Sequence, residues 1–324
     1  MNSPAAESPW GRLIAVIGAR RRELSVLLAY VVLLIVLAVT APRFFRADPI
    51  RALLVSNSSV LVAAVGMTMV ILCRQIDISI GSLFSVCGVT AGLLARMGLP
   101  MPLVALGTLA AGAILGAING LFVAGLRLPS IVATLATMVV LRESLRYARE
   151  GEFVRDLPSS FQWFGQGQAL GPSAVVAIAA AVFVVFAWSL ANVTLGRAVL
   201  AVGSDPEAAR LAGIPPRGVV FGVFTLMGLL AGLAALLNAI RFADVDPGSG
   251  GGLELQVIAA VVVGGTAVTG GRGSLIGTLI GVALLGSIGP ALVFLDAKPQ
   301  WEKAVQGLII LAAVATDALD RQER

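Results

Sequence analysis

The sequence predicts an all-α, polytopic membrane protein with about ten transmembrane helices, and three observations lead there. Of its 324 residues, 58% are hydrophobic and 13% charged, and the mean hydropathy is +0.95. A soluble domain carries roughly 25% charged residues and needs them to stay dissolved. The chain also divides into ten charge-free runs, most of them near the ~20 apolar residues a helix needs to cross a bilayer. Finally, no run alternates polar and apolar residues with the period of two that a transmembrane barrel requires.

The same composition excludes several classes. Disorder needs low hydrophobicity and high net charge. A disulfide framework needs more than Cys73 and Cys87, both of which lie in apolar stretches. The chain contains no histidine, which removes Ser-His-Asp and Cys-His catalysis and histidine-ligated metals. No catalytic set, resident metal or nucleic-acid partner is expected.

In chain order the runs are 24–42, 52–73, 78–95, 97–126, 128–141, 157–196, 218–240, 255–271, 273–295 and 304–316. The run 128–141 is short and must borrow residues up to Tyr147 to span. The last run is also short, flanked by Glu302, Lys303 and Asp317. The run 157–196 is too long for one helix. Pro158, Gly165, Gly167, Gly171 and Pro172 read as a loop, leaving a helix from about Ser173 to Val193. Residues 24–318 thus form a single membrane domain between tails 1–23 and 319–324. An even number of spans puts both termini on one side. Arg20, Arg21 and Arg22 before the first span place that side in the cytoplasm. Over the rest of the chain, Lys and Arg divide almost evenly between the two sides.

On this topology the longest cytoplasmic loop is 194–217. It contains a short helix with clear ends. Ser204 or Asp205 is a suitable N-cap, Pro206 fits the first turn, and Glu207 suits the positive end of the dipole. Ala208 and Ala209 give small contacts, Gly213 ends the helix, and Pro215 prevents its resumption. Gly112, Gly116 and Gly120 form one small-residue face and Gly273, Gly277 and Gly281 another, both suited to close helix packing in lipid. The stretch from Gly264 to Gly273 lacks the Gly-x4-Gly-Lys-Ser/Thr pattern of a phosphate loop and reads as a tight turn.

Polar residues stand out against this background. Asp77, with Ser79, opens a helix, where a carboxylate either caps free N–H groups or contributes to a polar pathway. Asn119, Asn238, Glu254 and Gln256 lie in or beside apolar helices. They fit a pathway for a neutral polyol and fit interhelical hydrogen bonding equally well. The charged segment Arg142-Glu143-x2-Arg146-x2-Arg149-Glu150 has no role on this reading.

Five ordered stretches carry a family resemblance: Arg74-Gln75-Ile76-Asp77-Ile78-Ser79-Ile80-Gly81-Ser82; Gly116-Ala117-Ile118-Asn119-Gly120; Leu128-Pro129-Ser130-Ile131-Val132-Ala133-Thr134-Leu135; Gly196-Arg197 through Gly203-Ser204-Asp205 to Gly213-Ile214; and Glu254 through Gly264-Gly265-Thr266 to Gly273-Ser274. Together they resemble the permeases of ABC importers in the ribose, rhamnose and autoinducer-2 group, over roughly residues 56–315. The chain departs from that pattern at Gln75, where the family usually has Gly, and at Gly203-Ser204-Asp205, where it usually has Gly-x-Asn. The resemblance implies the ABC importer permease fold in a bacterial inner membrane. It further implies a second permease copy or paralogue, a cytoplasmic ATPase that binds ATP and magnesium, and a periplasmic sugar-binding protein. On this reading the chain itself binds no cofactor and is not an enzyme. Gly203, Ser204, Asp205, Glu207, Ala208, Ala209 and Gly213 would form the contact with the ATPase. Asp77, Ser79, Asn119, Asn238, Glu254 and Gln256 would line the substrate pathway. A branched-chain amino-acid permease of the same fold and an ion-coupled secondary transporter are the rival readings.

Overall fold

The computed structural model describes residues 21–298, 300–309 and 311. Eleven α-helices are resolved among them: α1 (Arg21–Thr40), α2 (Ala47–Leu72), α3 (Ile80–Arg96), α4 (Met101–Gly120), α5 (Ser130–Arg149), α6 (Gly167–Asn192), α7 (Thr194–Ser204), α8 (Pro206–Leu211), α9 (Pro216–Ala239), α10 (Leu253–Val263) and α11 (Leu275–Phe294). A π-helical turn, Leu121–Gly125, prolongs α4. Among the described residues there is no strand, only one antiparallel bridge between Val154 and Val245.

Six of these helices are long and apolar enough to cross a membrane: α1, α2, α4 with its π turn, α6, α9 and α11. The expected ten is therefore supported only in part. The run 78–95 folds as the shorter α3, and the run 255–271 folds as the eleven-residue α10 followed by a glycine turn. Helix α5 is long enough but carries Arg142, Glu143, Arg146 and Arg149. Residues 301–309 are helical, and the rest of the last run lies largely outside the described residues.

Helix α2 is the centre of the body. Its residues from Val62 to Leu72 are all buried, packed by α9, α6, α11 and α10. An all-round apolar helix suits that place. Helix α4 lies against α9 through glycines. A Cβ on Gly116 would stand 2.3 Å from the Phe224 carbonyl, and one on Gly228 would stand 2.1 Å from the Gly112 carbonyl. The backbones touch, as small-residue faces allow. Gly277 and Gly281 likewise meet Gly264 and Ala260, which closes the α10–α11 hairpin.

Helix α6 begins at Gly167, six residues before the expected start near Ser173, with Gly171 and Pro172 inside it. Proline cannot bond the carbonyl four residues back, which is that of Gln168. The Arg51 guanidinium takes up this carbonyl at 2.8 Å and that of Ala169 at 3.1 Å. Gly171 gives room for the Trp163 ring. A long-range cation thus satisfies a helix start that local rules read as a loop.

Candidate functional site

The five stretches that carry the resemblance converge on residues 72–82. Helix α2 stops at Leu72, and the chain runs without helix to Ser79 before α3 begins. Its backbone N–H groups are met from outside, as buried amides must be. Ser130 Oγ accepts from the Ile76 N–H at 3.3 Å, and Thr134 Oγ1 accepts from the Ile78 N–H at 3.1 Å. Both hydroxyls come from the first turns of α5.

Asp77 is fully buried. Its Oδ1 accepts from the Ser79 N–H at 2.9 Å and from the Ser79 hydroxyl at 2.6 Å. The Asn119 amide donates to that hydroxyl at 2.7 Å. Asp77, Ser79 and Asn119 therefore form one cluster ahead of α3, whose N-cap, Ser79, makes no side-chain cap bond to the first turn. Asp77 Oδ2 and Asn119 Oδ1 are buried with no hydrogen-bond partner among the described residues.

At its other end the break is bound to the loop 194–217. That loop is not one helix in a coil but two consecutive helices, α7 and α8. Asp205 is the N-cap of α8, accepting from the Glu207 and Ala208 N–H groups at 2.9 and 3.1 Å. Gly213 follows with φ +82°, and its N–H closes on the Arg210 carbonyl. Glu207 and Arg210 pair on the exposed face at 2.6 Å, and this holds the guanidinium above its usual pKa. Ala209 turns inward, buried, while Ala208 is exposed.

The carbonyls that end α7 lack helical partners. Arg74 supplies them: its Nε donates to Gly203 O, and its Nη2 to Ser204 O. A cation at a helix C-terminus also suits the dipole. The Leu72 carbonyl, left open at the end of α2, accepts from the Gly271 N–H at 2.9 Å. The glycine turn between α10 and α11 thus closes the third side. Gly203 admits no side chain here, since a Cβ would lie 1.6 Å from the Leu72 carbonyl oxygen. Arg74 and Gly271 were not among the expected site residues; their partners are distant in sequence.

Glu254 begins α10 and is almost wholly buried. Arg142 Nη2 donates to its Oε1 at 3.3 Å, while Oε2 has no partner and lies against Gly81. Asn238 stands apart near the end of α9, where its Oδ1 accepts from Arg241. Gln256 is half-buried on α10 and makes no contact with the Asp77 cluster. The structure therefore brings Asp77, Ser79 and Asn119 together, puts Glu254 beside Gly81 at the start of α3, and leaves Asn238 and Gln256 outside. A cavity of about 810 Å³ lies between α6, α7 and α9. Its walls are mostly apolar and carry none of these residues.

The family described as "Branched-chain amino acid transport system / permease component" matches residues 50–314. An autoinducer 2 import system permease protein of Enterobacter sp. (strain 638) is 34% identical over 94% of this chain and 88% of its own length. The ribose import permease protein of Escherichia coli (strain K12) is 36% identical over 90% of this chain and 92% of its own. That of Haemophilus influenzae is 35% identical over 90% and 91%. No solved structure gives a significant match.

Proposed function

The chain belongs to the branched-chain amino acid transport system permease family, and from that premise we propose that it is the membrane subunit of an ATP-driven, binding-protein-dependent importer of a monosaccharide or related small polyol. The named relatives import ribose and autoinducer 2, which favours a polyol over an amino acid. In this reading the chain pairs with a second permease, copy or paralogue, in the bacterial inner membrane with both termini cytoplasmic. A separate ATPase on the cytoplasmic side holds ATP and magnesium, and a periplasmic binding protein delivers the substrate.

One observation carries the proposal: the capped helix α8 and the polar cluster are joined through the same break. A motor that pushes on α8 moves α7, whose last carbonyls are held by Arg74. Arg74 lies three residues before Asp77, so the movement reaches Asp77, Ser79 and Asn119 along a short, hydrogen-bonded path. The chain then needs no nucleotide site of its own.

Two observations favour the rivals enough to require a test. The buried carboxylates of Asp77 and Glu254 are the kind of group an ion-coupled carrier uses, and the Arg142–Glu254 pair offers fixed charges to an amino acid. In proteoliposomes holding the permease with its ATPase and binding protein, polyol uptake is expected to require ATP and to persist when proton and sodium gradients are collapsed. Excess leucine is expected not to compete. Gradient-driven uptake by the permease alone would refute the proposal. For orientation, a cysteine at Ser204 is expected to react from the cytoplasmic side and one at Ser249 from the opposite side.

A further inference from the structure

The charged segment of α5 borders a cavity. About 380 Å³ of space lies between α3, α5 and the turn after α9, within the range of about 300–1,000 Å³ typical of small-molecule sites. Ser82 and Ser85 line it from α3, Arg142, Leu145 and Arg146 from α5, and Asp246 from the turn. We propose that this cavity is a binding subsite for a neutral polyhydroxy solute, with Arg142 and Glu254 as the residues that determine its specificity. The proposal rests on the importer reading above.

The chemistry of the walls supports this class of ligand. A sugar hydroxyl both donates and accepts, so a site for it needs donors and acceptors side by side. Arg142 commits one N–H to Glu254 and keeps the rest of its planar fork. Asp246 accepts from the Gly248 N–H through Oδ1, and the Ser85 oxygen accepts from the Gly250 N–H at 3.0 Å, which leaves its own proton to donate. Below them Glu254 Oε2 is a buried acceptor with nothing bound to it. It lies against Gly81, which also lines the cavity, where any Cβ would meet it at 2.2 Å.

Charge excludes the other classes. Arg142 is already paired with Glu254 at 3.3 Å and Arg146 with Glu143 at 3.8 Å, so an anion finds no unpaired guanidinium in the site. A zwitterion would have to separate Arg142 from Glu254 to bind both ends. A polyol can bridge the pair as it stands. The segment with no role in the sequence thus forms one wall of a cavity that carries a few polar groups. The chamber adjoins the start of α3, whose first residues lead to Ser79 and Asp77.

A cysteine in place of Leu145, which lines the cavity without hydrogen bonds of its own, serves as a reporter. The complete assembly with ATPase and binding protein is treated with a small methanethiosulfonate reagent, without ATP. D-Ribose, L-rhamnose or L-leucine is added as protector, and ATP-driven uptake of both sugars is measured in parallel. The transported sugar is expected to slow labelling at least severalfold, and leucine is not. In Arg142→Lys, which keeps the charge but loses the fork, and in Glu254→Gln, about tenfold more sugar is expected to be needed for the same protection, the loss of one hydrogen bond to a charged group. Size-exclusion profiles establish that each variant assembles. Sugar uptake without protection, unchanged protection in both variants, or equal protection by leucine would overturn the subsite and leave the importer reading intact. No ATP-driven uptake of either sugar would overturn both.

Discussion

The two ends of the break between α2 and α3 are built differently. At Leu72–Arg74 the contacts are backbone to backbone or a guanidinium on carbonyls, and glycine at 203 leaves no space for slippage. At 77–82 side chains take part in most of the contacts, and three buried oxygens there, on Asp77, Asn119 and Glu254, have no hydrogen-bond partner among the described residues. Unmade hydrogen bonds of this kind are costly inside a protein, and each calls for an explanation. A stiff end beside an unsatisfied end is what a transporter needs. On the proposed reading, one would transmit displacement and the other would exchange protein contacts for substrate contacts.

This contrast can be broken most severely at Gly203. Gly203→Val is expected to cost more than about 3 kcal/mol by overpacking a backbone contact, and so to abolish folded protein in thermal unfolding measurements. Gly213→Val tests the same loop at a place with open space around it. The strain of a left-handed conformation there costs about 1–2 kcal/mol. The permease should stay folded while ATPase stimulation and uptake fall together in reconstituted vesicles. Wild-type stimulation and uptake would show that the end of α8 does not matter. Asp205→Ala is the mildest, at about 1 kcal/mol for a lost N-cap. Its weaker ATPase binding should be recovered in Asp205→Asn, which keeps an acceptor for the Glu207 and Ala208 amides.

What could be read in advance follows the same division. Helix α8 was legible because its signals are local: Asp205, Pro206 and Gly213 lie within nine residues. The glycine faces of α4 and α11 were legible because helical spacing alone reveals them, although Gly273 falls in the turn ahead of α11, against Thr266, and the partners Gly228 and Gly264 were not named. Helix α7 was missed. Gly196 and Gly203 speak against a helix locally, and only their close fit on the Leu190 and Leu72 backbones explains them. Of the polar candidates, Asp77, Ser79 and Asn119 come together in one hydrogen-bonded cluster. Asn238 lies apart from them and pairs with Arg241 beside it. Arg74 and Arg142 were invisible as site residues. Each meets a partner more than a hundred positions away, and no pattern in one sequence encodes that.

The account stands or falls on whether Arg74 carries motion from α8 to the Asp77 cluster. The direct measurement is the number of sugar molecules imported per ATP hydrolysed, in vesicles containing the full assembly with either the wild-type chain or Arg74→Ala. The account predicts that the variant assembles and still hydrolyses ATP, while the ratio falls about tenfold or more, matching the loss of charge-assisted hydrogen bonds to two carbonyls. A variant that imports sugar at the wild-type ratio would contradict it.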